Sequence, residues 1–173
     1  DVAKANAMLD EAGFKKDSDG VRLKGVLDII PYGEDWRRAG EYLKQVMGDI
    51  GISLELRYED VPTWLKRVYH RYDFQMNVNY FYQLPDPVLG VHRHYGTDQI
   101  RKGTHFVNSS RYSNPTLDGL LDSGAGEPDA AKRTAAYKEI QQILANDMPV
   151  VNLFELEFLV VYNNKLKGAL SLI

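Results

Sequence analysis

The stretch from Leu23 to Tyr58 constrains the fold most, because its pattern changes from strand to helix and back to strand. Residues from Leu23 to Ile30 are largely apolar and are followed by Pro31, which is typical of a buried strand. A helical stripe closed by Gly51 comes next, formed by Ala39, Leu43, Val46, Met47 and Ile50. Ile52 to Tyr58 then alternates apolar and polar side chains, as a strand with one solvated face does. This is the order of a right-handed parallel crossover, so the sequence predicts an α/β fold.

Periodicity in the rest of the chain continues this alternation and predicts a mixed sheet flanked by helices. The predicted strand from Phe74 to Phe81 places Phe74, Met76, Val78 and Tyr80 on one face. The other predicted elements are helices over Ala3 to Ala12 with Gly13 as C-cap, over Pro62 to Tyr69 and from Pro128 in its first turn to Asp147, and final strands over Val150 to Phe154 and Phe158 to Tyr162.

Regular pattern fails between Gln83 and Ser113. A loop of that length inside a compact domain is usually functional or built from short irregular elements. We therefore expect the functional site in or beside this segment.

Composition describes one soluble globular domain and excludes several classes of protein. The 173 residues are 44% hydrophobic and 26% charged, and the net charge of -3 gives no basic field for nucleic acid. Without cysteine there is neither a disulfide framework nor a thiolate metal site. The longest apolar stretch, from Val150 to Tyr162, falls short of the ~20 residues of a membrane helix. The chain opens at Asp1 without a leader, so we expect that any targeting segment was removed or never included.

The stretch YSNPTLDGLLD, from Tyr112 to Asp122, has two interpretations. Ser113, Asn114 and Asp118 suggest a hydrolytic cluster, but a nucleophilic serine needs a base and no histidine lies within seven residues. Asn before Pro followed by an acidic residue is instead typical of a capped helix start. We interpret the stretch as a helix start.

Several blocks, in this order, resemble a known family. They are AKANAMLDEAGF, DSDGVRLKG, IGISLELRYED, RYDFQMNVNYF, a DP, YSNPTLDGLL, AAKRTAAYKEIQQILANDMPVVNLFE and LKG. The order and spacing resemble the C-terminal portion of the family 5 extracytoplasmic solute-binding proteins, the oligopeptide, dipeptide and nickel type receptors of ABC importers. The resemblance runs from Ala3 to Gly168.

The resemblance implies that residues 1–173 form the C-terminal lobe of a longer, two-lobed and hinged receptor of the periplasmic-binding-protein type (class II). Such a receptor captures a peptide-like or other small solute in the cleft between its lobes and passes it to a membrane permease. The implied location is the periplasm, or the outer face of the membrane with an anchor. A monomer without cofactor, metal or catalysis is expected.

Candidate ligand-binding residues lie where the predicted Phe74 strand ends. Open α/β sheets bind ligands at strand ends, and NYFYQLPDP offers three aromatic rings, an amide and a carboxylate there: Tyr80, Phe81, Tyr82, Gln83 and Asp86. Alternation prevents the three rings from facing the same way. In the family the residues just before the DP line the cleft, which points to Tyr80, Phe81 and Gln83. Arg67 matches a cleft arginine of peptide-binding members more weakly, and a solvated helix face competes with that role.

Gln83 departs from the peptide-binding pattern. In peptide-binding members an aspartate four residues before the proline of the DP pairs with the free α-amine of the peptide, and a neutral amide cannot replace that ion pair. We expect a ligand without a free α-amino terminus, such as a modified amino acid conjugate, an opine-like compound or a short saccharide. The stretch before Pro87 is one residue longer than in peptide-binding relatives, so Asp86 remains an alternative partner for an amine.

Three alternatives stay open on the sequence. His92 and His94 would share one face of a strand, but no third ligand follows at a metal-motif spacing. Asp86 with Glu155 or Glu157 would make an acid and base pair for a hydrolase, which needs two carboxyl groups about 5 to 10 Å apart. A receptor relative that serves only as a sensor or interaction module is the third.

Overall fold

The computed structural model describes residues 1–82, 84–157, 161, 163 and 165. Its strands are β1 (Leu23–Ile29), β2 (Ile52–Tyr58) and β3 (Met76–Val78). Its α-helices are α1 (Val2–Glu11), α2 (Glu34–Gly48), α3 (Val61–Leu65), α4 (Val91–Tyr95), α5 (Pro115–Gly126) and α6 (Ala130–Asp147). α3 continues as a π-helix over Lys66–Arg71, and short 3-10 helices lie at Pro87–Leu89 and Thr97–Gln99.

The described strands form one parallel sheet in the order β2-β1-β3. β1 pairs with β2 from Leu23 opposite Ile52 to Ile29 opposite Tyr58. The predicted strand, helix and strand of the crossover are confirmed with nearly the predicted bounds. Gly51, which ends the helical stripe, has φ +84, the left-handed backbone that favours glycine.

β3 is shorter than predicted, because side-chain amides replace backbone groups at both of its ends. Before the strand, the Gln75 side chain accepts a hydrogen bond from the Val26 N–H at 2.6 Å. After it, the side-chain oxygen of Asn79 accepts from the Tyr80 N–H at 2.9 Å. The predicted face is confirmed, since Phe74, Met76, Val78 and Tyr80 all belong to or pack against the main core.

The main core lies against the sheet. It includes residues of α2, of α3 with its π-helical extension, and Val107 of the irregular segment. Gly40 of α2 meets β1 so closely that an added Cβ would lie 2.5 Å from Cδ1 of Ile29. Trp64, Val68 and Tyr69 from α3 and its π-helical extension complete the core and are at most 1% exposed. The irregular segment is tied to this core where the Gly103 N–H donates to the Tyr69 carbonyl at 2.8 Å.

A second, smaller core joins α5 and α6 through Leu117, Leu121 and Ile140. The long helix ends at Asp147 as predicted, but Pro128 does not lie in its first turn. α6 begins at Ala130, because the Asp129 side chain accepts from the N–H groups of Ala131 and Lys132 and is the N-cap.

The predicted strand from Val150 to Phe154 is wrong. The described residues have no strand there, and Val151, Leu153 and Phe154 are 62%, 47% and 53% exposed. Apolar, β-prone residues form a strand only where a neighbouring strand supplies hydrogen bonds, and sequence pattern does not show whether one is present. The predicted strand from Phe158 to Tyr162 lies, except for Val161, outside the described residues.

Candidate functional site

Five aromatic side chains meet at the carboxyl edge of the sheet and form what we call the aromatic cluster: Tyr32, Trp36, Tyr80, Tyr82 and Phe154. Tyr32 follows the end of β1, Tyr80 follows the end of β3, and Trp36 lies in the first turn of α2. Carboxyl ends of neighbouring parallel strands lie at one edge of a sheet, where open α/β folds bind ligands. The local order of strands therefore brings these rings together.

Tyr80 is the centre of the aromatic cluster. Its ring centroid lies 5.3 Å from that of Tyr82, 5.5 Å from Trp36 and 5.6 Å from Tyr32. Phe154 extends the cluster through Trp36, at 6.0 Å. Tyr82 is 60% exposed and Tyr32 39%, whereas Trp36 is buried. The cluster thus has a buried back and an exposed front.

The Tyr80 phenol stays protonated at neutral pH. Its hydrogen bond with the Tyr82 hydroxyl, then burial, raises the pKa of Tyr80 to about 12. Tyr80 consequently contributes a neutral hydroxyl group to the aromatic cluster.

A shallow cavity of about 260 Å³ lies at the same edge, between the ends of β1 and β2. Its lining includes Pro31 and Gly33, which flank Tyr32, together with Glu34, Arg37 and Tyr58. The Arg37 guanidinium covers the Tyr58 ring at 4.3 Å. Charged groups are therefore present beside the aromatic cluster but belong to a separate lining.

Phe81 faces away from the other two rings of its segment, as alternation predicts. Its centroid lies 3.8 Å from that of His94, which is 5% exposed. Burial, assisted by Arg93, lowers the pKa of His94 to about 4, so this imidazole is neutral at pH 7. The Phe81 contact packs the segment onto α4.

Asp86 links the irregular segment to α6. Its carboxylate accepts from the Val88 N–H at 2.9 Å and from Nη2 of Arg133 at 2.7 Å. The Val88 hydrogen bond, followed by that of Arg133, lowers the pKa of Asp86. Gln83, the neighbouring predicted ligand residue, lies outside the described residues.

Arg67 lies in the π-helix and already has carboxylate partners. Its guanidinium donates twice to Glu59, at 2.6 and 2.9 Å, and once to Asp73 at 2.6 Å. Asp28, on β1, lies 3.7 Å from its Nε. The structure thus shows an ion-pair network, and ligand contact by Arg67 stays a prediction.

Sequence analysis missed Asp28, which lies inside an apolar run. The residue is fully buried and its carboxylate is 3.5 Å from Nη1 of Arg57. Burial raises the pKa of Asp28, while Arg57 and Arg67 oppose that shift. A charged residue in an apolar run is the only signal that the sequence gives for this network.

The helix start at Asn114 is confirmed. Its Oδ1 accepts from the N–H groups of Thr116 at 3.0 Å and Leu117 at 3.2 Å. Its Nδ2 donates to the Tyr112 hydroxyl and to Asp147, each at 3.1 Å. The cap therefore fixes both the end of the irregular segment and its approach to α6.

The neighbours of Asn114 in the proposed hydrolytic cluster also have structural partners. Ser113 accepts from the Thr97 hydroxyl at 3.0 Å, and Asp118 accepts from the Thr97 N–H at 2.9 Å. These bonds join the last 3-10 helix of the irregular segment to the start of α5.

Asn108 also fixes this segment, and sequence analysis missed it. The buried side chain donates to the carbonyls of Gly96 at 3.0 Å and Tyr112 at 2.9 Å, and accepts from Ser110 at 2.9 Å. An asparagine in an irregular stretch is common, so its composition gives no signal for this role.

The metal interpretation of His92 and His94 is not supported. They lie on the helix α4 and not on a strand, and residues two apart on a helix do not share a face. Within the part of the chain that the structure describes, no group of three or more His, Asp or Glu side chains is placed to hold a metal ion. Among the same residues no helix has the length and apolar character needed to cross a bilayer.

Tyr32 and Trp36 were also missed by sequence analysis. The rule that parallel strands bind ligands at their carboxyl ends applies to β1 as much as to β3, and Tyr32 follows β1 directly. The position of Tyr32 was therefore enough to predict it as a site residue. The position of Trp36 was not, because the helical pattern of α2 does not show which end of the sheet the start of this helix contacts.

Comparisons with known proteins agree on one family. A model of the bacterial extracellular solute-binding proteins, family 5 (middle), matches residues 1–101. Protein XP55 of Streptomyces lividans is 28% identical over 97% of this chain and 31% of its own length. The probable D,D-dipeptide-binding periplasmic protein of Escherichia coli is 25% identical over 92% and 31%. The chain thus spans about a third of the length of these curated relatives.

Solved structures show the same fold. The mannohexaose-bound periplasmic oligopeptide-binding protein of Thermotoga maritima has a TM-score of 0.75 and 25% identity, over 86% of this chain and 30% of its own. NikZ of Campylobacter jejuni in complex with Ni(L-His) has a TM-score of 0.75 at 18% identity, over 86% and 31%. Since the family model covers more than half of the 173 residues, the chain belongs to the bacterial extracellular solute-binding proteins of family 5.

Proposed function

We propose that this chain is the C-terminal lobe of the substrate-binding component of an ABC import system. The lobe supplies one wall of a cleft that captures a peptide-like or other small solute, and the loaded receptor delivers that solute to a membrane permease. The observation that carries the proposal is the aromatic cluster, which exposes its front at the carboxyl edge of the sheet in a family of solute-binding proteins.

The proposed ligand contacts start with Tyr80 and Tyr82, which contribute the centre and the most exposed ring of the aromatic cluster. Phe81 supports them by packing on His94. Gln83 and Asp86 supply polar contacts, the latter from a carboxylate that already pairs with Arg133. Arg67 reaches a ligand only by releasing Asp73, which at 60% side-chain exposure is its most exposed partner.

The same groups support capture without catalysis. Asp86, the acid proposed for a hydrolase, serves as a cap and as an ion-pair partner. The E. coli relative is named as a probable D,D-dipeptide-binding protein, and the T. maritima and C. jejuni proteins were solved with mannohexaose and Ni(L-His). The E. coli relative is described as periplasmic. We propose an extracytoplasmic, monomeric receptor that closes about a hinge.

Calorimetry on two proteins tests the proposal: the polypeptide encoded by the complete gene and the 173-residue chain. Both are titrated with dipeptides to pentapeptides, opine-like conjugates and oligosaccharides. We expect the complete polypeptide to bind one class and the 173-residue chain to bind it more weakly, because one wall of a cleft buries less ligand surface. Equal affinity in both would show that the site lies within this lobe, and turnover of the bound solute would contradict capture without catalysis.

A further inference from the structure

The rings of the aromatic cluster contact one another through Tyr80 and Trp36. Centroid distances between contacting rings run from 5.3 to 6.0 Å, the range of direct ring contact. A cage for a quaternary ammonium group instead surrounds a cation with ring faces that point at a shared space. Here the rings fill that space with each other. The cluster is therefore a continuous wall and not a cage.

The exposed part of this wall comes from three of its five residues. Tyr82, Phe154 and Tyr32 are 60%, 53% and 39% exposed. Tyr80 meets the rings of Tyr82 and Tyr32 edge to face, at interplanar angles of 76° and 64°. The phenol groups of Tyr32, Tyr80 and Tyr82 supply hydrogen-bond donors and acceptors. The five side chains are those of tyrosine, tryptophan and phenylalanine, so the wall contains neither a carboxylate nor a basic group.

Trp36 gives the wall a rigid back. Its ring contacts both Tyr80, at an interplanar angle of 34°, and Phe154, at 38°. It is 8% exposed and belongs to the main core. Since aromatic side chains have few rotatable bonds and Trp36 is held by the core, the surface in front of it is preformed.

We propose that this wall stacks a neutral sugar ring, so that the solute of the receptor is an oligosaccharide. The inference rests on the proposed function and names its substrate class. A pyranose ring combines an apolar C–H face with hydroxyl groups at its edge, which matches ring faces bordered by phenols. Stacking a neutral ring requires no desolvation of an ion, whereas a free ammonium group needs a carboxylate, and none of the five side chains of the wall supplies one. Asp86, the first carboxylate after Tyr82 along the chain, pairs with Arg133. Glu34, in the cavity lining beside the wall, lies 3.6 Å from Nε of Arg38.

Calorimetry on the complete polypeptide tests this proposal with three kinds of probe: a panel of manno-, cello-, malto- and xylo-oligosaccharides, the peptide trialanine, and choline. We expect one saccharide series to bind, with trialanine and choline at least tenfold weaker. Tyr82→Ala should weaken saccharide binding roughly tenfold through loss of a stacking face, and Tyr32→Ala by a similar factor. Tyr82→Phe should retain most of the affinity, because it keeps the ring.

Tyr42→Ala is the matched control, since Tyr42 lies on α2 like Trp36 but is 65% exposed outside the aromatic cluster. It should leave affinity unchanged, and the melting temperature of each variant checks that it folds. Tight binding of trialanine or choline without any saccharide would overturn this inference and leave the proposed function standing. Unchanged saccharide affinity in Tyr82→Ala and Tyr32→Ala would overturn the role of the wall. If the complete polypeptide bound none of these probes and none of the peptides, opine-like conjugates and oligosaccharides of the first calorimetry experiment, the proposed function itself would be overturned.

Discussion

The parallel crossover and the irregular segment from residue 83 to residue 113 differ in how much side chains contribute to their hydrogen bonds. In the crossover, backbone pairs with backbone along the whole of β1 and β2. In the irregular segment, backbone hydrogen bonds form only short helices and turns, and side chains such as those of Asp86 and Asn108 connect these pieces to one another and to the rest of the chain. A ladder tolerates many substitutions because every residue contributes alike. A segment held by individual side chains depends on each of them.

The largest effect that this comparison predicts is for Asn108→Ala. The change leaves two carbonyl groups without their donor, that of Gly96 in a buried site and that of Tyr112 in a partly buried one. We expect the free energy of unfolding to fall by about 3 to 4 kcal/mol, measured by urea denaturation. A fall below about 1 kcal/mol would show that water replaces the amide and that the segment does not depend on it. Asn146→Ala, on the exposed face of α6, is the control.

Acid should lower the free energy of unfolding by protonating His94, which lies in the same segment. Its pKa in the folded state, about 4, lies below the ordinary value of 6.5, so the unfolded chain binds more protons between those two values. Stability due to the neutral imidazole is present above pH 6.5 and is lost as the pH falls toward 4, by about 2 to 3 kcal/mol. Urea denaturation at pH 7, 5.5 and 4.5 measures the loss. His94→Gln should flatten the dependence, and an unchanged slope in that variant would assign it to other groups.

The crossover should be sensitive to added volume where α2 packs on β1. Gly40→Ala places a methyl group 2.5 Å from Cδ1 of buried Ile29, so we expect a loss of about 2 kcal/mol in the free energy of unfolding. Gly48→Ala in the same helix has no neighbour within 4 Å and is the matched control. It should leave stability unchanged or raise it. Equal effects of the two variants in thermal unfolding would contradict close packing at Gly40.

The smallest loss of stability is expected at Asn114, whose side chain bonds to the backbone N–H groups at the start of a regular helix. Asn114→Ala removes the N-cap of α5 and should cost about 1 kcal/mol. The complete polypeptide should still bind its solute, because the residue caps a helix and is not in the aromatic cluster. Loss of binding at an unchanged melting temperature would instead place Asn114 in the site. Asn114→Ser keeps a capping oxygen but lacks Nδ2 and its bonds to Tyr112 and Asp147, so it should restore part of the stability.

The same contrast explains what could be predicted from the sequence. The crossover was predictable because its periodicity records which face of each element is buried, as with Leu54 and Leu56 on β2. The cap at Asn114 was predictable because its partners lie within three residues. The early end of β3 was not predictable. It depends on the Asn79 side chain accepting the hydrogen bond of the Tyr80 N–H, which a neighbouring strand would otherwise accept.

The candidate site was predicted only in part, for the same physical reason. Tyr80 and Tyr82 follow a strand and were identified from local order, whereas Trp36 joins them through contacts between elements far apart in the chain. The error at Val150 to Phe154 is of this kind too. Its residues favour a strand, but strand formation depends on a neighbour that their own pattern does not specify.

The Asp86–Arg133 ion pair connects the irregular segment to α6. The two atoms lie 2.7 Å apart, but the side chains of Asp86 and Arg133 are 45% and 31% exposed, so water and dissolved ions reach the pair. Charges that solvent reaches attract each other less as salt is added. The connection between this segment and α6 should therefore weaken at high ionic strength, whereas the apolar contacts of the two cores should not.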